Sequence, residues 1–125
     1  PFQITYAPVK TPDKSPIRDF LNVSDLAEAH LMALKHLKSG GRSEIINLGT
    51  GKGYSVLEII ESVQKETGVK FKIKKAKSRE GEVPKMIASF QKAKKILGWK
   101  PKRTLGDSIK TLFNWYKNHP NSWEY

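Results

Sequence analysis

Ser15-Pro16-Ile17-Arg18-Asp19-Phe20-Leu21-Asn22-Val23-Ser24-Asp25-Leu26-Ala27-Glu28-Ala29-His30 reads as an extended segment running into a helix. Ile17 to Val23 is the extended part, and the helix is expected to open at Ser24 or Asp25. Leu26, Ala29, His30, Ala33, Leu34 and Leu37 then follow at helical spacing, with Asp25 and Glu28 at the electropositive N-terminal end. Gly40-Gly41 stops the run. A strand entering a helix in this way points to a mixed α/β domain, expected to hold about four helices and three to five short strands.

The elements around it follow from the same physics. Phe2-Gln3-Ile4-Thr5-Tyr6 alternates as a strand, and Pro8, Pro12 and Pro16 keep the next residues extended. Glu44-Ile45-Ile46-Asn47-Leu48 suits a short buried strand. Ser55 with Glu58 is a capping box opening a helix through Leu57, Ile60 and Val63 to Gly68. Val69 to Lys75 alternates apolar residues with lysine, as a strand with one wet face does. Met86-Ile87-Ala88 offers one more short strand, and Ser89 can cap a helix through Ala93 and Leu97 that Gly98 stops. Trp99 and Pro101 lead to Thr104 and Asp107, which cap a last helix expected to be buried through Ile109, Leu112, Phe113 and Tyr116 and closed by His119-Pro120.

A charged connection stands out. Lys77-Ser78-Arg79-Glu80-Gly81-Glu82-Val83-Pro84 makes a poor core segment and a good binding loop. An arginine fork can grip a phosphate and a carboxylate can accept from sugar hydroxyls. The plain alternative is a solvated charged turn.

Other motifs carry less. Gly49, Gly51 and Gly53 do not fit G-x-G-x-x-G, because Tyr54 takes the third glycine's place, and Lys52 lacks the following Ser or Thr of a P-loop. They read as a tight turn between strand and helix. Tyr6 and Lys10 have Tyr-x-x-x-Lys spacing, but Pro8 between them makes a shared helical face implausible. His30 falls on the apolar stripe, where a hydrogen-bonded core histidine is the ordinary outcome, and His36 and His119 are not spaced from it like metal ligands. No metal is expected. Asn22-Val23-Ser24 matches a glycosylation signal without a secretory leader.

The 125 residues amount to one domain, short of the roughly 250 that a two-domain enzyme needs. With a start at Pro1, this fits a fragment. There is no apolar run of membrane-spanning length, no leader and no cysteine, so a cytoplasmic protein off the membrane is expected. The net charge of +11 raises nucleic acid as a partner, but the lysines are spread through the chain with no nucleic-acid motif beside them.

The Ser15–His30 stretch resembles the Arg-Asp-Tyr-Ile-His-Val-x-Asp-Leu-Ala-x-Ala-His segment of the UDP-glucose 4-epimerases, in the extended short-chain dehydrogenase/reductase superfamily. The likeness continues in the family's order through Asn47-Leu48-Gly49-Thr50-Gly51, Ser55-Val56-Leu57-Glu58, the Arg79-Glu80-Gly81-Glu82 loop and Ala93-Lys94-Lys95-Ile96-Leu97-Gly98-Trp99. It implies that residues 1–125 form a single C-terminal UDP-sugar-binding domain, a fragment without the N-terminal Rossmann domain that would be its partner and hold NAD. It further implies that Arg18 and Arg79 clamp the diphosphate, that Glu82 bonds the uridine ribose, and that Phe20 and Tyr6 line the nucleotide. Phe20 stands where the family has tyrosine, Asn22 where histidine is common, and Glu82 where aspartate is usual, which leaves the sugar open among epimerases, dehydratases and decarboxylases. The catalytic pair and the Rossmann glycine turn are absent from these residues, so the fragment is expected to be inactive alone and, with a face uncovered, to self-associate. The alternative is a free-standing basic module for nucleic acid or a protein partner.

Overall fold

Local capping chemistry sets the helix starts. In the computed structural model, which describes residues 2–5, 10–70, 72–77 and 80–120, helix α1 spans Val23–Lys38 because the Asn22 side chain accepts from Ser24 N at 2.8 Å. The helix thus begins one residue before the expected Ser24. Asn22 is also buried and donates through Nδ2 to Ser108 Oγ at 2.9 Å, so the amide of the apparent glycosylation signal is engaged inside the fold. Helix α2, Val56–Thr67, carries the expected Ser55/Glu58 capping box and ends at Gly68 with φ 70°. Helix α3, Gln91–Leu97, ends at Gly98, also with φ 70°. Its N-cap is Phe90 instead of Ser89, whose hydroxyl accepts only a long 3.3 Å bond from Gln91 N. Helix α4, Leu105–Asn118, opens on the expected Thr104/Asp107 box.

Five short strands complete the described residues: β1 Phe2–Thr5, β2 Ile17–Asp19, β3 Gly53–Ser55, β4 Ile73–Ala76 and β5 Lys85–Met86. β2 is central in a three-stranded sheet, antiparallel to β3 and parallel to β5, while β1 and β4 pair in parallel by themselves. β5 falls one residue before the expected Met86–Ala88, since Ile17 N bonds Pro84 O at 2.8 Å and draws that edge onto β2. β4 has no buried face: Ile73, Lys74 and Lys75 are all exposed, against the expected single wet face.

Three further expectations fail for one reason, too little apolar surface covering the helices. Residues 44–48 form no strand; Ile45 is 89% exposed and its carbonyl accepts from Lys92 Nζ at 2.8 Å in place of a neighbouring strand. On α1 only Ala29 of the predicted stripe is buried, while Leu26, Leu34 and Leu37 are exposed, and His30 is an exposed residue holding the Leu26 carbonyl at 2.8 Å. On α4 Ile109 is buried but Leu112, Phe113 and Tyr116 are not.

Among the described residues Ala29, Ala93 and Trp99 form one buried cluster, ringed by Leu21, Met32, Ile46, Leu48, Phe90 and Leu97, and Ile60 of α2 and Ile109 of α4 are buried as well. Trp99 donates through Nε1 to Asp25 O at 3.0 Å, and the Asp25 carboxylate accepts from Lys102 N and Arg103 N at 3.1 and 3.0 Å. The Arg103 guanidinium pairs with Asp25 and with Glu28 at 3.1 Å, so the turn after α3 is clasped to the first turn of α1. Burial alone would raise the Asp25 carboxyl, but the Arg103 and Lys102 amides with the Arg103 side chain outweigh it and hold it below the usual range.

A depressed carboxyl contributes stability above its unfolded pKa of about 3.9 and loses it as pH falls through the lower folded value. Asp25→Asn should therefore cost about 1–3 kcal/mol at neutral pH, a deficit that narrows below about pH 4. Urea midpoints of both proteins at pH 7 and pH 3 check this.

Candidate functional site

β2 carries Arg18 in register with Tyr54 on β3 and Met86 on β5, so the three side chains stand on one face of the sheet. Arg18 Nη1 donates to Ile17 O at 2.9 Å, and Nη2 lies 3.5 Å from Glu82 Oε1. The structure thus brings Arg18 and Glu82 together from positions 64 residues apart. At 3.5 Å the pair is loose, and most of the guanidinium's donors stay available. The second Glu82 oxygen, Oε2, is buried and has no hydrogen-bond partner among the described residues. Phe20, two residues after Arg18, is 38% exposed. Arg79 and Tyr6 lie outside the described residues.

The sequence reading missed Asp19. Its carboxylate accepts from Thr50 N at 3.0 and 2.9 Å, from Gly51 N at 3.1 Å, from Ala88 N at 3.3 Å and from the Thr50 hydroxyl. The glycine turn is therefore an anion nest whose anion is the protein's own side chain. That explains why the glycines belong to a turn and cradle no phosphate. A Cβ at Gly49 would lie 2.6 Å from Ala88 Cβ and 2.7 Å from Asp19 Oδ2, while Gly51 has φ +73°. The signal was available: an acid at the end of a strand, and Gly-Thr-Gly backbone in need of an acceptor.

A second clasp holds the loop before β2. Asp13 accepts from Ser15 N at 2.8 Å, from Ser15 Oγ at 2.9 Å and from the Ser55 hydroxyl at the N-cap of α2. Burial opposes ionisation of Asp13, but these donors prevail and lower its pKa. Arg18 is thus approached from both sides by fixed backbone.

With that geometry in place, likeness to known proteins is informative. A family model described as GDP-mannose 4,6 dehydratase matches residues 7–112. The chain belongs to that family. It is 42% identical over 115 residues to the UDP-glucose 4-epimerase of Lactobacillus helveticus, covering 91% of this chain and 35% of that protein. A crystal structure of a UDP-glucose 4-epimerase superposes with a TM-score of 0.93 at 38% identity, covering 99% of this chain and 38% of that one. Another, from Stenotrophomonas maltophila with bound NAD and formylated UDP-arabinopyranose, gives 0.90 at 33% identity, covering 97% of this chain and 36% of that one. The chain spans about a third of the length of these relatives.

Asp19 fills the Gly49–Gly53 turn, so that turn does not offer its amides to a dinucleotide pyrophosphate. Among the described residues no group of three or more His, Cys, Asp or Glu could hold a metal ion, and no helix is long and apolar enough to cross a membrane.

Removing the Asp19 carboxylate leaves the Thr50, Gly51 and Ala88 amides without their acceptor. Asp19→Ala is expected to cost about 1–3 kcal/mol, several partly buried donors losing their acceptor at once, and Asp19→Asn less. Denaturant titration of the three proteins measures it.

Proposed function

We propose that this chain is the substrate-binding portion of a UDP-glucose 4-epimerase, which interconverts UDP-glucose and UDP-galactose in galactose metabolism, and that it is inactive alone. The observation that carries this reading is the Arg18–Glu82 juxtaposition, a cation beside a carboxylate whose second oxygen is buried and lacks a donor among the described residues. An arginine fork suits a diphosphate, and an acceptor short of a donor suits a ribose hydroxyl. Arg79, in the same loop as Glu82, supplies the second fork, while Phe20 and Tyr6 give the nucleotide aromatic surface. Binding energy at the nucleotide end then fixes the sugar, far from these side chains, in the orientation that hydride transfer needs. NAD, held by the N-terminal portion in the whole enzyme, supplies the hydride chemistry at sugar C4.

The exposed leucines of α1 and the exposed Ile45 are surface for that N-terminal Rossmann portion to cover, or for self-association when it is absent. A cytoplasmic setting belongs to the same reading.

Calorimetric titration of UDP and UDP-glucose into the chain tests the proposal. Micromolar to millimolar affinity is expected, reduced about tenfold or more by Arg79→Ala through the loss of a bidentate contact. Glu82→Gln should weaken UDP by about 5- to 30-fold and leave inorganic pyrophosphate bound at least as well, since a negative charge beside Arg18 is removed. A chain that binds no UDP, an Arg79→Ala variant of unchanged affinity, or steeply salt-dependent oligonucleotide binding without UDP binding would overturn it.

A further inference from the structure

The two faces of the β3-β2-β5 sheet differ in what they can offer a ligand. On one, Gly53 is pressed so closely that a Cβ would lie 2.5 Å from Ile17 Cγ2 and 2.6 Å from Ile87 Cδ1. That side is closed by packing. The other carries Arg18 between Tyr54 and Met86. Lys52, two residues before Tyr54 and so on the same side by alternation, places its ammonium 4.9 Å from the centroid of the Tyr54 ring. Arg18 and Lys52 thus share the face that carries Tyr54, Lys52 against its half-buried ring, and Glu82 lies beside Arg18.

A surface lysine ordinarily roams, and holding it costs rotamer entropy that an exposed ion pair scarcely repays. Lys52 is fixed at both ends. Its backbone N–H donates to Thr50 Oγ1 at 3.1 Å, and that hydroxyl is itself held by the Asp19 carboxylate. Its head group lies against Tyr54, and pairing with the Tyr54 hydroxyl lifts its pKa above the ordinary lysine value, so the charge is constant. Anchoring a cation to the same hub that fixes the end of β2 gives it a set position relative to Arg18. Such preorganisation serves no packing purpose, because Lys52 is exposed, but it does serve recognition of an anion.

We infer that Lys52, held by Tyr54, is a further phosphate-binding residue of the Arg18 site, acting on the diphosphate of the ligand on the side away from Glu82. The inference rests on the nucleotide-sugar reading above. The row Glu82, Arg18, Tyr54 and Lys52 then places ribose, diphosphate and the start of the sugar in order across the sheet, with adjacent strands about 4.8 Å apart. Tyr54 is a positioning residue in this arrangement, and Lys52 makes the contact.

The test is titration of uridine, which has no phosphate, and of UDP into the wild-type chain and the Lys52→Met, Lys52→Arg and Tyr54→Phe variants, each checked by thermal melting. Lys52→Met should lower UDP affinity about fivefold to tenfold with uridine unchanged, Lys52→Arg should keep most of the affinity, and Tyr54→Phe should lose about threefold, again for UDP alone. UDP affinity equal to wild type in Lys52→Met, or uridine and UDP weakened alike, overturns the inference while leaving the broader reading intact. A wild-type chain that binds no UDP overturns both.

Discussion

The Asp19 carboxylate holds together pieces of chain that have little else in common. It stands at the end of β2 and takes donors from Thr50 and Gly51 in the turn before β3 and from Ala88 after β5, so both partners of the central strand are fixed to it. Strands of two or three residues cannot rely on ladder hydrogen bonds for register. A side chain bonding to both neighbours supplies that register instead. Arg18, one residue earlier, inherits its direction, as does Lys52 through Thr50.

A similar device compensates for the small core. Ala29 and Ala93 are too small to fill space, so Trp99 provides most of the buried volume between α1 and α3, and its N–H is matched to the Asp25 carbonyl. Apolar burial of this extent is modest for a chain of this length. The Asp25–Arg103–Glu28 clasp, the Asp13–Ser15–Ser55 clasp and two capping boxes share the load, each joining segments that hydrophobic packing alone leaves loosely related.

What could be read from the sequence was what is decided locally. The Ser55/Glu58 and Thr104/Asp107 capping pairs and the stops at Gly68 and Gly98 depend on a few neighbouring residues, and all of them hold. Arg18 and Glu82 were each singled out through family likeness, but their contact was not foreseen, since nothing local joins positions 64 apart. Burial was misjudged wherever periodicity was taken as proof of a covering neighbour. The α1 stripe and the Ile45 segment have the composition of buried elements, yet covering them needs chain that the described residues do not provide. Asp19 escaped notice because a strand acid reads as polar edge until its donors, about 30 and 70 residues away, are placed around it.

The same clasps also shape the protein's charge. Of 12 acidic residues, Asp13, Asp19, Asp25, Glu28, Glu44, Glu58, Glu66, Glu82 and Asp107 are engaged with donors or cations of the chain itself. Lys74 of β4 and Lys94 and Lys95 of α3 are exposed. The net charge of +11 gives the surface a positive field that draws anions without regard to their structure. Such a field raises encounter rates but cannot tell a nucleotide sugar from any other polyanion. Discrimination has to come from groups of set geometry, and under the proposed reading Arg18 beside Glu82 would be such a group. Under that reading the diffuse charge would account for attraction and the sheet face for choice.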